Sequence, residues 1–386
     1  MTNICIFTST RADYGILSPL IRLLNNDVNF NTVLFVTGTH LLEQHGHTVE
    51  EIKRDGNSIG YEVPLKMQTE GPSSHLEVMG ESLTLFTRAL SHKKPDVAIV
   101  LGDRYETLAF AIAANGLGIP LVHLHGGELT EGALDDGYRH AITKLSYLHF
   151  TSAEIYRLRV LRMGEEPERV FNTGALGIDN AIHSADLSKD ALAAALGISF
   201  KKYLYSVTYH PETSNPSLNL LQVSSMLSAL SEKIKGNETF IIFTRANADP
   251  GNEEVHKKIE DFCRSFPEHC YYVPSLGMRR YLSLLRNADV VIGNSSSGII
   301  EAPVFGTPTI NIGDRQKGRE LALSVFSVNG DQAEISAAIE KALLFKRINK
   351  NKNFSIYGDG TAASKMFEIL KRFKFLSFPK KHFYDG

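Results

Sequence analysis

The sequence is poor in several features that would narrow its class. Three cysteines, Cys5, Cys263 and Cys270, in 386 residues are too few and too irregularly spaced for a disulfide framework or a zinc site. Neither sign of charge dominates. The 41 Lys and Arg stand against 43 Asp and Glu, net −2, so the balance points to neither nucleic acid nor an anionic membrane as the main partner. No apolar run is long enough to span a bilayer, and no basic stretch, apolar stretch or cleavage-type site precedes the first strand-like run at Ile4. With the sparse cysteines, this leads to the expectation of a reducing, cytoplasmic setting. A Gly-rich dinucleotide fingerprint is missing after that run, which argues against a dehydrogenase. Short-period repeats, coiled-coil heptads and low-complexity tracts are absent as well.

What is present is 43% hydrophobic residues in a chain long enough for two cores. Short runs rich in β-branched residues alternate with segments of helical period. They are Ile4 to Thr8, Thr32 to Val36, Val97 to Leu101 and Leu121 to Leu124, then Tyr203 to Thr208, Thr239 to Phe243, Val290 to Ile292 and Pro308 to Ile312. This is the texture of parallel sheets covered on both faces. The fold class is therefore α/β, two Rossmann-like doubly wound domains facing a cleft. Expected boundaries are 1–180 and 196–360, with a linker near 175–200 and a helical segment and tail over 361–386. In such sheets ligands sit beyond the carboxyl ends of the strands, so the residues after each run deserve the closest reading.

After the first run, Arg11 and Asp13 precede a helix expected over Ile16 to Leu24. They offer charge to a ligand or, alternatively, a surface cation and a helix cap. The run ending at Leu101 stops at Gly102-Asp103-Arg104. There Asp103 can orient a sugar or act as a base and Arg104 can fork onto a phosphate, with a surface ion pair as the plain alternative. Next come His123, His125, Gly126, Gly127 and Glu128, followed by Glu131, Asp135, Asp136, Arg139 and His140. So many acids and histidines in a Gly-rich loop are poor candidates for a core. Metal binding is disfavoured, because His123 and His125 alternate along a strand and form no i, i+4 ligand pair.

In the second half, His210 follows a strand and can donate to a phosphate, and Arg245, Asn247 and Asp249 follow another. Gly293-Asn294-Ser295-Ser296-Ser297-Gly298 lies between a strand and a helix. Its amides and hydroxyls suit a diphosphate at a helix N-terminus. Glu301 then sits where a ribose hydroxyl can be accepted, and Arg315 adds a cation after a further strand.

In order, Arg11-Ala12-Asp13-Tyr14, Gly102-Asp103-Arg104, Gly126-Gly127-Glu128, Asp135-Asp136, Tyr209-His210-Pro211, Gly293-Asn294-Ser295-Ser296 and Gly313-Asp314-Arg315-Gln316 resemble the hydrolysing UDP-N-acetylglucosamine 2-epimerases of bacterial sialic acid and surface-polysaccharide biosynthesis. The resemblance implies a GT-B-type pair of domains, a C-terminal helix returning to the first one, and assembly as a homodimer or a dimer of dimers. It implies a UDP-sugar substrate, with no cofactor and no metal. Arg11, His210, Ser295, Ser296, Glu301 and Arg315 match positions that hold UDP, with Glu301 at the ribose. Asp103 and Asp135 match catalytic acids, with His125, Glu128 and Asp136 as a supporting set. Asp13, Arg104, Arg139, Arg245, Asn294, Ser297 and Gly298 complete the expected substrate contacts. The same resemblance extends to relatives acting on 2,4-diacetamido-trideoxy sugar nucleotides. A GT-B glycosyltransferase and a non-catalytic nucleotide-sugar binding subunit are the rival readings.

Overall fold

The computed structural model describes residues 1–43, 46–66, 74–129, 134–211, 216–245, 252–350, 352–375 and 381–385. Glu131, Asn247 and Asp249 lie outside the described residues. The chain divides into two compact units, Met1–Asp179 with Gly360–Gly386, and Asn180–Asp359.

Unit 1 is built on seven parallel strands, β1 (Thr2–Thr8), β2 (Phe30–Thr37), β3 (Ile59–Val63), β4 (Val97–Leu101), β5 (Leu121–Leu124), β6 (Leu148–Thr151) and β7 (Val170–Asn172). They are ordered β3-β2-β1-β4-β5-β6-β7. Its helices are α1 (Arg11–Asn25), α2 (Val49–Arg54), α3 (Ser74–His92), α4 (Tyr105–Gly116), α5 (Leu134–Leu145), α6 (Glu154–Arg162) and α7 (Leu176–Ser184), within which the two units meet in sequence. Side-chain alternation decides why the runs are strands. Ile4 and Ile6, with Val97 and Ile99, enter one core, while Cys5 and Phe7, with Ala98 and Val100, enter the core on the opposite face. A strand apolar at every position has two faces to bury, as a parallel sheet under two helix layers requires.

Unit 2 repeats the plan after α8 (Lys189–Leu196). Its strands are β8 (Tyr203–Thr208), β9 (Thr239–Thr244), β10 (Cys270–Val273), β11 (Val290–Gly293), β12 (Thr309–Ile312) and β13 (Val325–Val328), ordered β10-β9-β8-β11-β12-β13. Its helices are α9 (Pro216–Ile234), α10 (Asn252–Ser265), α11 (Gly277–Asn287), α12 (Ser296–Ile300) and α13 (Gln332–Ile348). Here too Tyr205, Val207, Ile241 and Phe243 face one core while Leu204, Phe240 and Ile242 face another.

The last helix, α14 (Ala362–Arg372), belongs to unit 1. Ala362, Met366 and Leu370, four apart on one helical face, are buried in the core that α1 shares. The carboxylate of Asp179 accepts from the amides of Ala362 and Ala363 at 3.1 and 2.9 Å, satisfying two donors that a helix start leaves open. No helix among the described residues is long and apolar enough to cross a membrane.

Strand order reverses between β1 and β4 in unit 1 and between β8 and β11 in unit 2. These two switch points are where a doubly wound sheet opens a crevice at its carboxyl edge.

Candidate active site

Beside the unit 1 switch point, β1 runs directly into α1. The helix starts at Arg11, earlier than the expected Ile16, because Thr10 and Asp13 form a capping box at its N-terminus. Asp13 was expected at the substrate. Its carboxylate instead accepts from Thr8 Oγ1 at 2.6 Å, Ser9 N at 2.9 Å and Thr10 N at 3.0 Å, so it shapes the loop. Arg11, the first residue of α1, is exposed, and its nearest acid is Glu51 at 3.1 Å.

Arg104 was likewise expected at a phosphate. It meets the fully buried Glu106 through two bonds, Nε to Oε2 at 3.2 Å and Nη2 to Oε1 at 2.9 Å. A buried carboxylate without a cation is costly, so much of this guanidinium is committed to Glu106.

Across β4, β5 and β6 a second group gathers. Arg139 projects from α5, is 6% exposed, and pairs with Asp103. It also donates to the carbonyl of His125 at 3.0 Å and lies 3.8 Å from Glu128. Glu128 in turn meets His125 Nδ1 at 2.9 Å and accepts from Ser152 Oγ at 2.6 Å. The result is a chain of groups, Asp103, Arg139, Glu128, His125, drawn from two strand ends and one helix, with Ser152 added from a third strand end. His125 Nε2 is buried and has no hydrogen-bond partner among the described residues. In the neutral ring with Nδ1 donating to the carboxylate, Nε2 would carry a lone pair and could accept a proton.

The glycines ahead of Glu128 are required by space. A Cβ on Gly127, whose φ is +79°, would lie 2.6 Å from the carbonyl of Tyr156. His123, fully buried, bridges Gly102 O at 2.8 Å and Thr143 Oγ1 at 3.1 Å. Burial pushes it down to about 3, so it is a neutral core histidine that fixes the turn carrying Asp103. On the exposed side of α5, Asp135 faces solvent, and Asp136 lies 3.6 Å from His140. Among the described residues no group of three or more His, Cys, Asp and Glu is placed to hold a metal ion.

In unit 2 the switch point is closed by an amide clamp. Asn294, 1% exposed, accepts from His210 N at 2.6 Å and donates to His210 O at 2.8 Å. Asn294 was expected to touch substrate, but its side chain is used to hold His210 on the neighbouring strand end. Its own carbonyl accepts from Arg315 at 3.2 Å and Gln316 at 2.8 Å. The approach is possible only because residue 293 is glycine, since a Cβ there would sit 1.9 Å from Thr208 O. Gly298 also differs from expectation. Its amide donates to Ser295 O at 3.1 Å, its carbonyl accepts from Thr309 Oγ1 at 2.7 Å, and it packs where a Cβ would meet the Thr309 methyl.

Ser295 precedes α12 without capping it. Burial keeps the Tyr281 phenol protonated to higher pH than usual, against the opposing pull of the hydroxyls of Ser297, Thr208 and Ser295. Ser296 opens α12, Arg245 follows β9 and is exposed, and Glu301 closes α12. Burial pushes the Glu301 carboxyl up to about 7 against the opposing pull of its backbone hydrogen bond, Arg319 and Ser297. Its Oε2 has no hydrogen-bond partner among the described residues.

The structure therefore brings together Asp103, Glu128, His125 and Arg139 in unit 1, and His210, Ser295, Ser297, Glu301 and Arg315 around one strand end and helix in unit 2. Ser152 and Tyr281 were not anticipated. Ser152 stands directly after β6 and was reachable by the rule that strand-end residues face the ligand. Tyr281, inside α11, carried no such signal.

Two doubly wound sheets, each with a polar cluster at its switch point, define a two-Rossmann class of protein. A family model described as UDP-N-acetylglucosamine 2-epimerase matches residues 22–371. The chain belongs to that family. It is 39% identical over 339 residues, 88% of this chain and 87% of the relative, to the GDP/UDP-N,N'-diacetylbacillosamine 2-epimerase (hydrolyzing) of Campylobacter jejuni. It is 40% identical over 329 residues, 85% of this chain and 83% of the relative, to the polysialic acid biosynthesis protein P7 of Escherichia coli. The fold is similar to that of the S. aureus MnaA–UDP co-structure, with a TM-score of 0.77, full coverage of both chains and 19% identity.

Proposed function

We propose that the protein is a hydrolysing 2-epimerase that converts UDP-N-acetylglucosamine and water into N-acetylmannosamine and UDP. The observation that carries this is the part-buried series Asp103, Arg139, Glu128, His125, in which an imidazole nitrogen and a carboxylate are both held by named partners.

C2 of the sugar has no carbonyl beside it, so a base alone removes its proton far too slowly. UDP must depart first. Arg11, Arg315, His210 and the hydroxyls of Ser295 and Ser296 are the groups for the diphosphate, with Glu301 accepting from the ribose. Donors fixed in advance stabilise the charge developing on the leaving oxygen. As C1 becomes cationic, one proton-handling group takes H2 and leaves 2-acetamidoglucal. A second delivers a proton to C2 from the other face while water adds at C1. His125, oriented by Glu128, and Asp103, held by Arg139, are the two groups best placed by their surroundings, and Asp135 and Asp136, on the more exposed side of α5, are the supporting candidates. Such assistance contributes about 10² to 10⁴ in rate. The sequence uses no hydride carrier.

A second reading is the same reaction on a 2,4-diacetamido-2,4,6-trideoxyhexose nucleotide, which the Campylobacter relative supports. The two substrates differ at C4 and C6, remote from the atoms that react.

Both are tested by incubating the protein with each nucleotide sugar in D2O and following it by proton NMR. Free UDP with N-acetylmannosamine deuterated at C2 is expected. Turnover of the diacetamido substrate alone selects the second reading. Released N-acetylglucosamine without deuterium would overturn elimination, and UDP binding without turnover of either compound would favour the binding-subunit reading.

A further inference from the structure

The C-terminal residues Lys381 to Tyr384 lie across the carboxyl end of α5 and the turn after α6. Lys381 Nζ donates to Ser146 O at 2.7 Å and Lys144 O at 2.8 Å, with Thr143 O at 3.5 Å, and pairs with Glu165 Oε2 at 2.6 Å. Three ammonium protons are thus matched by three close acceptors. Glu165, 1% exposed, also meets Lys144 at 2.6 Å and His149 at 3.0 Å. Beside this knot Tyr384 N donates to Gly164 O at 3.1 Å. The Phe383 ring fills the space a side chain at residue 164 would need and lies 4.9 Å from Lys144 Nζ.

These contacts hold one end of the helix that carries Arg139. Thr143, one turn on from Arg139, places its one hydroxyl proton between two acceptors, Arg139 O at 3.0 Å and Nδ1 of the neutral His123 ring at 3.1 Å, and His123 Nε2 donates to Gly102 O at 2.8 Å. A continuous path therefore runs from Lys381 through the last turn of α5 to Arg139 and to the turn bearing Asp103. A cation on the final carbonyls of a helix also suits the negative end of its dipole.

We propose that Lys381 is a positioning residue for the reaction: by capping α5 and tying it to Glu165, it sets the register at which Arg139 holds Asp103 and Glu128. This rests on the hydrolytic reading of that cluster. It touches no reacting atom, so its removal lowers kcat and leaves nucleotide affinity, assigned to Arg11 and to unit 2, in place.

The test compares Lys381→Met, which keeps the stem and loses the donors, with Lys381→Arg and Phe383→Ala in the full chain. Steady-state kinetics on whichever nucleotide sugar the wild type turns over, UDP affinity by calorimetry, and hydrogen exchange of α5 against α4 are measured at a temperature where all variants remain folded. Because small misplacements of reacting groups are expensive, Lys381→Met is expected to lose about tenfold or more in kcat, with KM and UDP affinity changed by less than about twofold. Exchange in α5 is expected to quicken while α4 is unchanged, and Lys381→Arg to recover most of the activity. Should Lys381→Met not fold, Phe383→Ala carries the same expectation in weaker form. Unchanged kcat in a folded variant, or a parallel fall of kcat and UDP affinity with faster exchange everywhere, overturns the proposal. A wild type that turns over neither nucleotide sugar overturns the hydrolytic reading instead, and unchanged α5 exchange then overturns the strap on its own.

Discussion

At Glu301 burial holds a carboxyl near 7, so around neutral pH it is half ionised in the unliganded protein. An ionised carboxylate is the better acceptor for ribose hydroxyls. UDP affinity is therefore expected to strengthen as pH rises from about 6 to 8, by up to about tenfold per unit below the pKa, because binding draws on the deprotonated form. Calorimetric titration of wild type and Glu301→Gln across that range checks it. The glutamine variant should keep only the dependence that belongs to the UDP phosphates, and equal slopes for the two proteins would refute the assignment. What the sequence showed of Glu301 is its position, following a serine-rich loop at helical spacing; its buried carboxyl came from the structure. Asp13, Asn294 and Gly298 are engaged in structural hydrogen bonds for a single physical reason. Small polar residues and glycine at strand ends serve caps and close backbone approaches with the same atoms they would offer a ligand. Only the partner distances separate the two uses.

The strand β11 and the turn after it show how an element depends on one missing methyl group. Gly293 combines φ of +129° with a Cβ position 1.9 Å from Thr208 O, so both the backbone and the space exclude alanine. Gly293→Ala is expected to destabilise unit 2 by about 3 kcal/mol or more and to abolish UDP binding by parting Asn294 from His210. Exchange protection over 203–208 and 290–293, with calorimetry, reads both effects; retained UDP binding would show that the clamp is dispensable. At this scale the central strands were legible, since Ile4 to Phe7 is apolar at every position and has two faces to bury. The edge strand β13 is half-exposed along much of its length, so its residues carry no comparable pattern. The pairing of Asp103 with Arg139, 36 residues apart, was also hidden, because strand order decides which loops become neighbours.

For the molecule as a whole, buried ionisable groups divide unevenly between the units. In unit 1, burial lowers His123 to about 3 and also lowers His149. Glu165, which burial would raise, is brought down to about 2 by His149, Lys144 and Lys381. A depressed histidine gives stability that is complete above its unfolded value near 6.5 and fades as pH falls through the folded one. The depressed carboxyl does the same between about 4.5 and 2. In unit 2, Glu301 has the opposite sign, its raised pKa adding stability as pH falls from about 7 toward 4.5, while His256, lowered by burial, partly offsets it. Acidification from pH 7 to about 4 is therefore expected to open unit 1 before unit 2. Exchange mass spectrometry over that range would show loss of protection first in β5 and β6, and simultaneous loss in both sheets would contradict it. The return of α14 to the core of α1 has a consequence for biosynthesis. On the ribosome, every residue of unit 2 emerges before the segment that completes unit 1. Until Met366 and Leu370 leave the exit tunnel, the part of the α1 core that packs against α14 has no cover. Released chains stalled short of that point would carry a finished second unit and an open first one, which makes the early product of translation a client for chaperones.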